Sequence, residues 1–179
     1  MRTNPERRTA LVDAAIEVLA AEGARGLTFR SVDVAAGVPN GTASNYFANR
    51  DGLLTQAGLR IHDRLGPDPA HLDQPPSAEF LTQRLRRRLT EDRVGYLALL
   101  ELRLEATRRP ALQETLTHRV RENLDENIRL HHQAALPGDP LLLYFALGGL
   151  MLEHLTLPEV LDPQIDNLME KVVTQLLVD

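Results

Sequence analysis

Leu27 to Leu54 reads LTFRSVDVAAGVPNGTASNYFANRDGLL, and its punctuation divides it into two short helices, the turn between them and the start of a third. Thr28 to Ala36 opens on a hydroxyl that can cap a helix, with Phe29, Val32 and Ala36 toward a core and Val34 and Ala35 between them. Gly37 can take the left-handed conformation that stops a helix, and Val38 and Pro39 turn the chain. The next piece, Asn40 to Phe47, starts at Pro39 or Asn40 and is too short to fold alone. It has only Ala43 and Phe47 to bury, and it exposes Gly41, Thr42, Ser44, Asn45 and Tyr46. A small, uncharged, hydrogen-bonding face on a helix propped by another helix suits the major groove of DNA.

These residues resemble the tetracycline-repressor (TetR) family of transcriptional regulators. The family's usual run is close to T-x-x-x-I-A-x-x-A-G-V-S-x-G-T-x-Y-x-Y-F-x-x-K-x-x-L-L. Thr28, Val32, Ala36, Gly37, Val38, Gly41, Thr42, Tyr46, Phe47, Leu53 and Leu54 fall in step with it, and Arg50 stands where the family prefers Lys. Asp33 replaces a usual Ala, Pro39 the usual helix-capping Ser and Ser44 a frequent Tyr. The three departures bear on how the short helices pack, where the second begins and what it reads.

Composition agrees. A chain of 179 residues with 43% apolar residues can bury one sizeable core, or a small head and a larger body. It has no cysteine, hence no disulfide or thiol chemistry, and no apolar leader or membrane span, which leaves a cytoplasmic protein as the expectation. Net charge is −5, but residues 1–65 hold 8 Arg against 7 acidic residues while the remainder is net −6. The acid sits in the body, and a solvated surface explains most of the asymmetry.

The remaining sequence is helical nearly throughout. Pro5 to Glu22 carries Leu11, Ala15, Val18 and Leu19 near one face and ends at Gly23, the natural support for the two short helices. Arg50 to about Leu65 forms a connecting rod, and Gly66 to Pro76, with four prolines in eleven residues, breaks the chain. Further helices are expected from Ser77, from Asp92 to Arg109, from Pro110 to about Leu136, from Pro140 to Leu157, and from Asp162 or Pro163 to Val178. With no period-two pattern and no repeat, the fold class is all-α: a helix-turn-helix head of three helices plus a helical-bundle body, about nine helices in all. The expected division is a head at 1–49, a connecting helix at 50–65 and an effector-binding and dimerisation body at 66–179.

Pro140 to Leu157 contains LLLYFALGGLML and is apolar nearly all round, so it must be covered on both sides. One face meets either its own bundle or a second copy across a two-fold axis. The resemblance favours the second: it implies a homodimer through the last two helices, with Leu147, Gly148, Met151, Ile165, Leu168, Met169, Val172, Val173 and Leu176 at the interface.

The resemblance further implies that Thr42 and Tyr46 hold backbone phosphates, with Arg50 on the same track. Asn40, Gly41, Ala43, Ser44 and Asn45 are candidates for base contact, since Asn pairs bidentately with adenine and Ala touches the thymine methyl when it is exposed. For Asn40 a plain helix cap is the stronger reading. Thr28 joins the DNA-facing set at the start of its helix, and Arg7, Arg8 and Arg30 are in place for flanking phosphates. In the body a cavity for a small apolar effector is implied, near Phe80, Tyr96, Glu101, Arg103, His118, Tyr144, Phe145 and His154, although each of the polar six also suits a solvated surface. No cofactor or metal is expected; His131 and His132 are adjacent, so their rings diverge. The chain has no Glu-x-x-His pair, phosphate loop or nucleophile elbow that an all-α enzyme would use. A ligand-released repressor that binds a near-palindromic DNA operator is the leading reading; the alternatives are a DNA-binding head on a body that binds a protein partner, and an enzyme.

Overall fold

Residues 4–66 and 90–177, with residues 83, 86 and 87 between them, are described by the computed structural model. Every regular element among them is helical: α1 (Pro5–Gly26), α2 (Phe29–Ala35), α3 (Thr42–Tyr46), α4 (Arg50–Leu65), α5 (Arg93–Ala106), α6 (Pro110–Gln133), α7 (Pro140–Thr156), α8 (Pro158–Leu161) and α9 (Ile165–Leu176). None of the described helices is long and apolar enough to cross a membrane. The chain divides into two units, residues 1–66 with 94–119 and residues 67–93 with 120–179.

The first unit starts with local chemistry that the sequence spells out. Asn4 caps α1 by accepting from the backbone N–H groups of Glu6 and Arg7, and Pro5 occupies the first turn, where its missing N–H is not needed. Thr28 and Ser31 form a reciprocal capping box at the start of α2, and Asn49 caps α4 through the Gly52 N–H. α1 breaks at Gly23 (φ 70°, ψ −178°), where the sequence ends it. The next N–H, that of Ala24, is taken up by the Glu101 carboxylate of α5 at 3.1 Å. Leu11, Ile16 and Leu19 of α1, Leu27, Val32 of α2, and Leu53, Leu54 and Ile61 of α4 are wholly buried with Leu102 of α5. Each such side chain contributes about 1.5–3 kcal/mol on leaving water, so this core closes on itself. At Gly58 of α4 a Cβ would lie 2.9 Å from the Leu116 side-chain tip of α6, so an added side chain would require that tip to move. Asp13 of α1 pairs with Arg60 and Arg64 of α4 at 2.8 and 2.7 Å.

The second unit is built on α7 and α9. Leu143, Met151 and Leu155 of α7 are buried, as are Ile165, Met169 and Val173 of α9, whose four-residue spacing turns one stripe inward. Asp139 caps α7 through the N–H groups of Leu141 and Leu142. The sequence-based terminal helix begins later than expected. Residues 162–164 form a turn, the helix runs from Ile165 to Leu176, and the short α8 precedes it. Two prolines, Pro158 and Pro163, punctuate the segment, and neither can donate the N–H that one continuous helix would require. Of the helix expected from Ser77, Gln83, Arg86 and Arg87 are helical, while Phe80, Leu81, Leu85 and Leu89 lie outside the described residues.

Candidate nucleic-acid interface

α2 and α3 meet across a turn that is tied by hydrogen bonds at every step. The Gly37 N–H donates to the Val34 carbonyl at 3.1 Å and the Val38 N–H to the Asp33 carbonyl at 3.0 Å. Gly41 then takes φ 90°, which a residue with a Cβ resists, and serves as the N-cap of α3 without any side-chain cap of its own. The recognition helix therefore begins at Thr42, later than the Pro39 or Asn40 read from sequence. Pro39 and Asn40 belong to the turn, and Asn40 is not the cap it was expected to be.

The start of α3 is held instead by Asp33 of α2, which is only 1% exposed. Its Oδ2 accepts from the Gly41 N–H and its Oδ1 from the Ala43 N–H, both at 2.7 Å. The departures at positions 33 and 39 are thus related. The chain lacks a capping hydroxyl beside the helix and supplies a carboxylate from the helix before it. Sequence reading had the Asp in view but not its partners, because a contact eight to ten residues away depends on the turn geometry.

The far end of α3 is braced by Arg8 of α1. Its guanidinium donates to the Tyr46 carbonyl at 2.9 Å and lies 4.6 Å from the centre of the Phe47 ring. Expected on flanking phosphates, Arg8 is half-buried and occupied within the head. Arg50 likewise leaves the phosphate track it was assigned. Its Nε donates to the Leu27 carbonyl at 2.9 Å, its Nη2 donates to the Ala24 carbonyl, and it pairs with Glu105 at 3.6 Å. Glu105 also bonds Arg109 at 2.7 Å, and Arg109 pairs with Asp51. The hydrogen bond from Arg109, against the opposing effect of burial, holds the Glu105 carboxyl below the usual carboxylate range.

Ala43, a candidate for thymine contact, is 0% exposed and packs in the core. Helical geometry places it on the face opposite Ser44 and Asn45, which are exposed together with Asn40, Gly41, Thr28 and Arg30. Thr28 is engaged as the α2 cap. Thr42 and Tyr46 are half-buried, Tyr46 against the core and Thr42 with its hydroxyl donating to the Pro39 carbonyl. The Ser44 hydroxyl donates to the Gly41 carbonyl at 2.8 Å, leaving lone pairs to accept from a ligand. Arg7 of α1 and Arg30 of α2 are exposed cations. The arrangement offers two short, exposed polar side chains on an α3 that carries no charge of its own, with exposed cations on α1 and α2.

The residues expected around an effector are placed less uniformly. In the first unit, Tyr96 packs half-buried against the core, Glu101 is committed to the Ala24 N–H, and Arg103 and His118 are exposed on α5 and α6. In the second, Tyr144 stands edge-on to Phe145, which is 61% exposed, and His154 Nδ1 lies 3.6 Å from an Asp162 oxygen. Phe80 lies outside the described residues. The His131 and His132 rings are T-shaped at 5.9 Å, and no group of three or more metal-ligating side chains occurs among the described residues.

Of the residues expected at a dimer interface, Met151, Ile165, Met169 and Val173 are buried within the chain, where they join α7 to α9. Leu147, Leu168, Val172 and Leu176 are half-buried and Gly148 is exposed. The outward face of α7 instead carries Leu141, Leu142, Phe145 and Leu152, between 43% and 61% exposed. A Cβ added at Gly148 or Gly149 would meet nothing within 4 Å. The sequence pattern could not divide inner from outer here, because α7 is apolar on both.

Residues 11–57 match the family model for bacterial regulatory proteins of the tetR family, and residues 76–178 match the tetracyclin repressor-like C-terminal domain. Among solved structures, a member of the TetR family from Streptomyces coelicolor A3 is 30% identical, with a TM-score of 0.74 over 98% of this chain and 100% of that one. Multidrug binding protein EbrR, complexed with ethidium, is 30% identical with a TM-score of 0.71, over 97% of this chain and 99% of its own. A transcriptional regulator from Rhodococcus sp. Rha1 shares the fold at 20% identity, with a TM-score of 0.75 over 98% of this chain and 96% of that one. No curated protein matches the chain.

Proposed function

The chain belongs to the tetracycline-repressor (TetR) family of DNA-binding transcriptional regulators, and from that premise we propose that it works as a cytoplasmic homodimeric repressor. Each head, residues 1–49, places the turn and helix from Asn40 to Phe47 in the major groove of one half of a near-palindromic operator. Ser44 and Asn45 read base edges, Thr42 and Tyr46 hold phosphates, and Arg7 and Arg30 add charge at the margins. The observation that carries this reading is the exposure of Ser44 and Asn45 on a helix whose opposite face, Ala43, is fixed in the core.

The second copy docks on α7. Its exposed face, Leu141, Leu142, Phe145 and Leu152 around Gly148 and Gly149, is a contiguous apolar stripe of the kind that water-soluble chains cover. Leu147, Leu168, Val172 and Leu176 border it, and Met151, Ile165, Met169 and Val173 support it from inside. A small apolar effector acts through the body, residues 66–179, with the connecting helix at 50–65 as the moving part; binding shifts the DNA affinity only by its differential affinity for the two states. The likeness to a relative complexed with ethidium, a planar aromatic cation, supports a small aromatic ligand.

Selection of duplexes from a random pool tests the reading. An enriched inverted repeat is expected, and a pool that stays random refutes it. A thermal-shift screen of apolar and planar aromatic compounds, followed by operator titration, tests the effector. A hit that raises Tm but leaves operator affinity unchanged is not an effector.

A further inference from the structure

We propose that Asp33 is a positioning residue for DNA reading: from the supporting helix, its carboxylate fixes where the recognition helix begins and hence where Ser44 and Asn45 stand. The inference rests on the assignment of α3 to the major groove. A five-residue helix cannot hold its own shape or direction. Its first-turn N–H groups need acceptors: the Pro39 carbonyl takes that of Thr42 at 3.1 Å, but Gly41 has no side chain and Pro39 no side-chain oxygen to take that of Ala43. Asp33 meets this need with both oxygens, at 2.7 Å each to Gly41 and Ala43. Its own carbonyl accepts from Val38, so one residue anchors both ends of the turn. The negative charge also lies at the positive end of α3, where it is favoured.

The consequence separates two kinds of binding. Ser44 and Asn45 follow Ala43 directly in the chain, so freeing the Ala43 N–H lets both side chains move relative to the bases they face. Arg7 and Arg30 stand on α1 and α2 and do not depend on the Asp33 carboxylate for their place. Loss of Asp33 should therefore erode discrimination between sequences more than attraction to DNA as such.

The test uses the full-length protein, the duplex that it enriches from a random pool and an unrelated duplex of equal length. Asp33→Ala is expected to reduce the preference for the enriched duplex by about tenfold or more, with low-salt binding to the unrelated duplex nearly unchanged. Asp33→Asn, which keeps one acceptor, should lose less. Adding Pro39→Ser to Asp33→Ala supplies a capping hydroxyl beside the helix and should restore the preference, which a merely destabilised head would not regain. In the parent protein, independently of how any variant folds, the Gly41 and Ala43 amides should exchange slowly with solvent. Fast exchange at both amides, an Asp33→Ala protein that discriminates as the parent does, or a double variant that recovers nothing would overturn the proposal. If the parent enriches no sequence at all, the groove assignment fails and the positioning role falls with it; if the parent enriches one and Asp33→Ala keeps its preference, only the positioning role fails.

Discussion

The two units bury their apolar residues differently. In the first unit, Leu11, Ile16, Leu19, Leu27, Leu53, Leu54 and Ile61 are all wholly enclosed, with every helix start from α1 to α4 capped by a side chain or by Asp33. In the second unit, Met169 and Val173 are enclosed, but α7 leaves Leu142 and Phe145 more than half exposed. Across α2 and α3 the first unit leaves Val34 exposed, as a single large apolar residue, whereas α7 turns Leu141, Leu142, Phe145 and Leu152 outward together. On the proposed reading, the first unit meets DNA with a finished surface and the second docks a second copy on α7.

The contrast is broken most directly by equal truncations in the two regions. Leu19→Ala, at a wholly buried site, should lower stability by about 2–5 kcal/mol, read as a fall in the denaturant midpoint. Leu142→Ala, at a site 54% exposed, should leave the stability of the dissociated chain nearly unchanged and weaken self-association instead. Similar losses of chain stability at both sites would show that α7 is covered from within.

A charge on the open face sharpens the same point. Phe145→Asp should leave helicity intact but convert the dimer to monomer, because pairing would bury an unpaired carboxylate. Operator affinity should then drop roughly hundredfold or more, as the two heads cease to act as one bivalent ligand. Sedimentation velocity and anisotropy titration on one preparation report both effects.

Legibility followed the range of the interactions. The caps at Asn4, Asn49 and Asp139 were not anticipated, but the Thr28 cap, the break at Gly23 and the buried stripe of α1 depend on neighbours within a turn, and each could be read locally. Arg8, Arg50 and Asp33 could not. Their side-chain hydrogen-bond partners lie 8 to 38 residues away, and an arginine that braces a helix end looks in sequence like one that waits for a phosphate. Within the motif, Ala43 and Phe47 were the two residues of α3 and its cap expected to be buried, and both are, so the alternative of a thymine contact for Ala43 falls. For α7 the obstacle was the absence of contrast, since an unbroken apolar run carries no periodic signal.

Within the head, the division between reading and holding predicts a smaller pair of effects. Asn45→Ala should cost about 1–3 kcal/mol and relax preference at one base pair in each half-site, while Tyr46→Phe, lacking only a hydroxyl, should weaken all duplexes alike. An unchanged consensus for Asn45→Ala would move that residue among the phosphate contacts.

The smallest expected effect concerns pH. Glu105 has its carboxyl depressed by Arg109, so its contribution to stability is complete above the unfolded value of about 4.3 and is lost as pH falls through the lower folded value. Glu105→Gln should therefore show a shallower loss of stability on acidification in that window than the parent does. Parallel acid profiles would remove the Arg109 pair from the forces holding the first unit.

One measurement joins the closed head to the open face of α7: the mass, by sedimentation equilibrium, of the complex formed at saturation on the enriched duplex. Two chains per inverted repeat, falling to weak single-chain binding for Phe145→Asp, is the expected result. A tight complex with one chain per duplex would contradict it.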